Sequence, residues 1–406
     1  MTVSEVSTLG GPLLYNPQRA LETVQAISGL TPVRLFPVLF PLWEVEAVGT
    51  QRRSRPYEML EWFLERGIAE GELRSTAELS AFFGLEPNWV DKAIIFLREI
   101  GHVQGGDGAL TLTRRGQESL ADGVSYRDME THRKLYFEAF RMQPLPREHY
   151  RLRILSEVEA LTHSERLLFH LFSFRPWQSD ALRALANRPD RARWNLPDEV
   201  YELEERAVAR AYLPMYIVET REPVTASHYG ARYVALTRLR GLRDEFFEEI
   251  VNSEPDLLDP LYAESVPDVQ ALIEEELTNR GLESQFVRLT QLAPDAWRAT
   301  VVSEVLLSSQ TRLTLQDVGK YLLVRGYCLQ VWCDDPALRR EAALDQALAI
   351  IANWRRPATQ REFDQLLETL AARLQTRELT VTDLRQRASV QGAEGVLLKL
   401  KELEVS

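Results

Sequence analysis

The sequence predicts an α+β chain, mainly helical and built of several domains. Three observations carry this reading. The 406 residues suffice for two to four domains with well-buried cores. Apolar residues spaced three and four apart, the mark of a helix face, dominate Pro56 to Ile100 and Ala337 to Leu403. Between them lie shorter stretches rich in Val, Tyr and Trp, which favour strand.

Residues 1–51 read as an N-terminal extension, with a short helix near Pro17 to Ile27 and an extended stretch from Val33 to Glu46. Pro37 and Pro41 exclude helix there and are expected to confine the strand to an edge or a bulge. Residues 52–125 read most clearly. Pro56 suits a first helical position, and apolar residues follow with helical spacing through Leu64. Ser75 and Glu78 form a capping-box pair for a second helix, which stops at Gly84. A third helix runs from Pro87 to Ile100. His102-Val103, the glycine-rich turn at 105–108 and Leu110-Thr111-Leu112 predict a short hairpin. Thr113-Arg114-Arg115-Gly116 leads into a last helix.

This order resembles the winged helix-turn-helix superfamily, down to the Leu-Thr-Arg-Arg-Gly after the hairpin. The resemblance covers about a sixth of the chain and speaks to fold more than to function. A weaker resemblance to a helix-turn-helix lies in residues 355–406. Helices are predicted there at Thr359 to Leu374, at Thr382 to Ala388 with Thr382 as N-cap, and at Ala393 to Leu403. The expected architecture thus has winged-helix modules near both ends and a mixed middle region.

Residues 126–251 are read as a middle domain, with helices at Tyr126 to Met142, Ser164 to Phe174 and Asp198 to Arg210. Two echoes make it a candidate degenerate second winged helix, from about Ser164 to Val251. Phe40-Pro41-Leu42-Trp43-Glu44-Val45-Glu46 matches Leu213 to Glu219, which predicts that both are strands of one sheet or of two repeats. Leu112 to Gly116 is echoed by Leu236 to Gly241. Residues 252–285 read as an acidic junction. From Asp244 to Glu283 there are thirteen acids against Arg280 alone. Residues 286–354 are expected to be a small α/β region, with strands at Trp297–Leu306 and Tyr327–Cys333, a helix at Leu315 to Val324 between them, and a helix at Ala337 to Trp354.

Bulk properties narrow the classes. A net charge of −12 argues against a protein that coats nucleic acid non-specifically. No apolar run reaches transmembrane length and the start lacks a secretory pattern, so a cytosolic protein without membrane contact is expected. Cys328 and Cys333, five apart on a predicted strand, point to opposite faces and read as reduced structural thiols.

Catalytic patterns are weak. His132-Arg133-Lys134 has the His-x-Lys core of the phospholipase D motif, but Ala139 stands where that family needs an aspartate. Glu159, His163 and His170 would share a face only if one helix spanned all three, and solvated histidines are the simpler reading. No phosphate loop or dinucleotide fingerprint occurs. The expectation is no catalytic residue, metal or cofactor.

The expected function is therefore non-enzymatic DNA binding, as a regulator or a subunit of a DNA-handling complex. The candidate duplex-contacting residues are Arg53, Arg55, Asn88, Lys92, Arg98, Arg114 and Arg115, and in the C-terminal module Arg385, Arg387, Lys399 and Lys401. Glu86, Asp91 and Glu99 flank the third helix, and the module is slightly acidic. A scaffold or adaptor whose winged helices bind protein is the alternative. A hydrolase or nuclease with a site dispersed through the middle region is the third reading. Trp89, Val90, Ala93, Ile94 and Leu97 suffice to face the module's own core. Ile95 and Phe96 are then expected to pack on another part of the chain, on a partner protein or on a second copy.

Overall fold

The two longest elements are strands, β1 (Thr31–Pro56) and β7 (Val200–Thr225), each of 26 residues. The structure, a computed structural model, describes residues 13–167, 170–171, 173–225, 228–239, 242–262, 268–307, 313–354 and 359–402. Among the described residues, ten strands hydrogen-bond into one large mixed sheet. This corrects the expectation of a mainly helical chain, although α+β still describes it. The sheet was hidden in segments with helical-looking spacing. β4 (Val124–Glu138) occupies the helix predicted at Tyr126 to Met142, and β7 that at Asp198 to Arg210. In β4, Leu135 and Phe137 alternate into the core beside β-branched and aromatic neighbours, and fifteen residue pairs join it to β1. Long-range pairing outweighs local propensity there.

The chain divides into two compact units. The first comprises residues 1–41, 151–173 and 212–406. It opens with α1 (Pro17–Gln25), N-capped by Asn16. The first part of β1 follows, changing partners along its length. Arg34 pairs with β12 (Tyr327–Trp332), and Val38 and Leu39 pair in parallel with β6 (His170–Leu171). β1 lies between β7 and β12 in the sheet, so the expected edge position is wrong. Pro37 and Pro41 fall at the changes of partner, where a missing N–H costs least. β5 (Leu155–Ser156) and α6 (Glu157–Leu167) precede β6, so His170 lies beyond the helix that carries Glu159 and His163. The predicted helix at Ser164 to Phe174 therefore stops early, and positions 168, 169 and 172 lie outside the described residues.

The later part of β7 forms a hairpin with β8 (His228–Leu236). Both Pro-aromatic-Val-Glu stretches are strands of the one sheet, as their shared pattern predicts. Positions 240 and 241 of the second echo lie outside the described residues. α8 (Glu245–Ser253), α9 (Asp259–Tyr262) and α10 (Val269–Asn279) carry the acidic stretch, and α10 buries Leu272, Ile273 and Leu277. β9 (Val287–Ala293) and β10 (Ala296–Val301) form a hairpin, and β10 runs parallel to β12. α11 (Ser303–Leu307) replaces the end of the strand predicted to reach Leu306. β11 (Tyr321–Val324) stands where a helix was expected. Arg325 and Gly326 both have positive φ and turn β11 tightly into β12, a hairpin that Arg-Gly does not advertise.

Every residue of β12 is buried, as in a strand covered on both faces. α12 (Pro336–Ala352), α13 (Gln360–Leu374), α14 (Val381–Val390) and α15 (Glu394–Glu402) contribute to one apolar core with it, including Leu329, Val331, Leu348, Phe363, Leu384 and Leu400. α14 is capped by Thr380 with Asp383, two residues before the expected Thr382. Cys328 and Cys333 are free and buried, and burial pushes the Cys328 thiol far above its ordinary range.

The second unit comprises residues 42–150 and 174–211. The later part of β1 and β4 make a long antiparallel ribbon, and the chain between them is a small module. The module holds α2 (Met59–Ala69), α3 (Thr76–Phe83), α4 (Pro87–Glu99), the hairpin of β2 (Val103–Gln104) and β3 (Thr111–Leu112), and α5 (Arg114–Asp122). Pro56 ends β1 rather than starting α2, which begins after Glu58. The Ser75–Glu78 capping box, the left-handed Gly84 and Pro87 in the first turn of α4 are all present. Leu64, Ile68, Leu79, Val90, Ile94 and Leu97 fill the module core. α7 (Asp180–Ala186) follows later in the unit. The indole of Trp194 is flanked by the guanidinium groups of Arg188 and Arg193.

Candidate interaction surface

A buried polar network ties the module together. Glu65 on α2 and His102 before β2 are both fully buried. His102 Nδ1 lies 2.7 Å from Glu65 Oε1, and Nε2 lies 2.5 Å from the carbonyl of Tyr126 on β4. The Tyr57 hydroxyl donates to Glu65 Oε2 at 2.6 Å, and burial with that carboxylate pushes its pKa far up. Gly116 is required because a Cβ there would sit 2.4 Å from the His102 carbonyl oxygen. The Leu-Thr-Arg-Arg-Gly stretch thus serves packing: Thr113 caps α5, and Gly116 lets α5 approach the turn.

The basic side chains nominated for duplex contact meet different fates. Arg55 binds Glu61 at 2.6 Å and lies over the Phe96 ring. Arg115 donates to the Ile100 carbonyl at 2.9 Å and pairs with Asp128 of β4. Arg98 donates to the carbonyl of Gly105 in the hairpin turn at 2.7 Å. Arg114, 92% exposed, pairs with Glu118 at 2.9 Å. Asn88 and Lys92 are exposed on α4. Arg53 is exposed and faces Arg127 directly across the ribbon, with no acid paired to either among the described residues. Such a like-charged pair is mildly unfavourable.

The C-terminal candidates mostly work inside the first unit. Arg387 grips Asp345 through two hydrogen bonds and reaches Glu341. Lys399 Nζ donates to the carbonyls of Ile351, Ala352 and Trp354, closing the C-terminus of α12. Arg385 reaches the Leu400 carbonyl at 3.4 Å. Lys401 is exposed.

Periodicity did not foresee the module's apolar surface. Trp89, assigned to the core, is 64% exposed, and Ile95, further along α4, is 54% exposed. Phe96 is half-buried against the module's own core, so it needs no distant partner. A second exposed group crosses α2 and α3. Met59 is 77%, Phe63 40% and Phe82 67% exposed. Phe83 links them, with ring centroids 6.0 Å from Phe63 and 4.9 Å from Phe82. Between Tyr57 and Gly123 the chain has six basic and twelve acidic residues, a net charge of −6.

Two places in the first unit bring reactive side chains together. A groove of about 420 Å³ lies at the ends of the parallel strands β10 and β12, lined by Arg288, Ser303, Glu304, Cys333, Asp334 and Asp335 among others. Ser303 Oγ and Cys333 Sγ are 3.9 Å apart, and neither is hydrogen-bonded to a base among the described residues. Arg288 and Asp334 neutralise one another. The other place joins Glu219, Arg221, Asp295, Tyr233 and Tyr262. Its members satisfy one another, as in a structural ion-pair network. The His132-Arg133-Lys134 cluster spreads along β4, where His132 meets Glu130 and Lys134 meets Glu44.

No family model, curated protein or solved structure matches the chain. Among the described residues no helix is long and apolar enough to cross a membrane.

Proposed function

We propose that the chain is a non-enzymatic adaptor working in the cytosol, and that residues 57–123 are a winged-helix module that docks protein rather than reading DNA. The observation that carries this is the outward side of α4, the helix that would enter a major groove. Its exposed residues include Asn88, Trp89, Asp91, Lys92, Ile95 and Glu99. The charged ones nearly cancel, and two large apolar side chains stand in water. Phosphate neutralisation supplies most non-specific affinity for duplex DNA, and a module at −6 with Arg55 and Arg115 tied down offers little of it. Exposed aromatics with few competing charges suit a protein interface core.

The test is a titration of the full chain against a labelled duplex at low salt, read by fluorescence anisotropy. This reading expects no saturable binding. Tight binding that weakens steeply with salt, and that Lys92→Glu abolishes, would overturn it. DNA contact remains the second reading because Arg53 and Arg127 form an exposed guanidinium pair beside the module.

A further inference from the structure

The aromatic patch across α2 and α3 has a charge pattern that specifies its occupant. Met59 and Phe63 lie one turn apart on α2, and the same stripe continues to Arg66 and Glu70. Arg66 gives its guanidinium to Glu70, at 2.6 Å, and stacks on Trp62, so it adds no free positive charge. On α3, Glu78 lies one turn before Phe82. Glu58 precedes Met59 and pairs with Arg55 at 3.4 Å, while Glu72 lies in the turn between α2 and α3 and Glu86 directly before α4. Glu72 and Glu86 are exposed and carry no ion pair among the described residues. The apolar patch thus belongs to a module of net charge −6, with Glu72, Glu78 and Glu86 exposed on α3 and its flanking turns.

Resting on the adaptor reading above, we infer that this patch is a second docking surface of the module, distinct from the outward side of α4, and that it takes a basic amphipathic segment of another protein. The segment's apolar side covers Met59, Phe63 and Phe82, and its flanking Lys or Arg side chains meet Glu72, Glu78 and Glu86. A second copy of this chain fits poorly. A two-fold contact would set the same glutamates against themselves, and like charges across an interface repel. Nucleic acid is repelled by the same glutamates.

The full chain is titrated with a short amphipathic Leu/Lys peptide and with its Leu/Glu counterpart, by isothermal calorimetry at two salt concentrations. The Leu/Lys peptide binds, more weakly at higher salt, and the Leu/Glu peptide does not. Phe82→Ser leaves every charge in place and weakens binding roughly ten-fold. Glu72→Lys with Glu86→Lys weakens it as well. Circular dichroism confirms that the variants keep the fold, as expected for exposed positions. The inference is overturned if the Leu/Lys peptide fails to bind, or if Phe82→Ser leaves its affinity unchanged, which would mark mere attraction to an acidic surface. If Trp89→Ser abolishes binding and Phe82→Ser does not, the adaptor reading stands and this patch is the wrong surface. If no peptide binds and a duplex does, both fall.

Discussion

Replacing His102 with alanine should open the module while sparing the first unit. His102 and Glu65 are both fully buried, and the imidazole bridges Glu65 on α2 to the Tyr126 carbonyl on β4. Ser119 of α5 lies 3.3 Å from the same ring nitrogen. Truncation leaves the Glu65 carboxylate with Tyr57 as its remaining partner and strands the Tyr126 carbonyl. Leaving a buried carboxylate and a buried carbonyl each short of a hydrogen-bond partner costs about 1–3 kcal/mol apiece. That is a large share of the roughly 5–15 kcal/mol that holds a domain folded. Global melting is a poor readout, because a chain of two units need not unfold in one step. Hydrogen exchange read by mass spectrometry localises the loss. Amides of α2, α4 and α5 should lose protection by about two to three orders of magnitude, with β10 and β12 unchanged. Glu65→Gln keeps the shape and a hydrogen-bonding group, so it should cost less. Loss of protection below ten-fold in the module, or equal loss in both units, would refute the claim that this pair holds the module together.

Lys399 and Lys401 should separate cleanly although sequence placed them together. Lys399→Ala removes three hydrogen bonds to the C-terminal carbonyls of α12 and should cost about 1–2 kcal/mol, whereas Lys401→Ala should be neutral within about 0.5 kcal/mol in chemical denaturation. Burial pushes the Tyr150 hydroxyl up to about 12 from an ordinary 10. Its neutral form is favoured in the folded state, so it leaves stability unchanged below pH 10 and lowers it as pH rises from 10 to 12. Tyr150→Phe should flatten that alkaline fall, at the expense at neutral pH of the hydrogen bond that Tyr136 N–H donates to the hydroxyl. Denaturation midpoints from pH 8 to 12 check both effects.

Local chemistry was readable, and long-range pairing was not. Ser75 with Glu78, Gly84 and Pro87 mark helix ends through hydrogen bonds made within a few residues, so the sequence alone reveals them. β4 and the first part of β7 look helical because Tyr126, Met129 and Thr131, or Leu203, Val208 and Tyr212, recur at mixed spacings. Only the partner strand tells which side is buried. The candidate site divides in the same way. Sequence locates the arginines, but it does not tell that Arg115 spans Ile100 and Asp128, or that Arg387 closes on Asp345. The exposed Trp89 was misplaced because five apolar residues of α4 were counted toward the core, whereas Val90, Ile94 and Leu97 fill the buried side with Ala93 half-buried. Nothing in the spacing announced the Phe63–Phe83–Phe82 surface, since it is made where two helices meet.

The central claim concerns what touches the outward side of α4. A photo-crosslinking amino acid in place of Trp89, introduced into the full chain in its native cells, reports this directly once adducts are identified by mass spectrometry. The adaptor account predicts that position 89 captures a defined protein, and that Ile95→Asp abolishes the capture while leaving the chain folded. Nucleotide adducts at position 89, retained in Ile95→Asp and lost in Lys92→Glu, would contradict it.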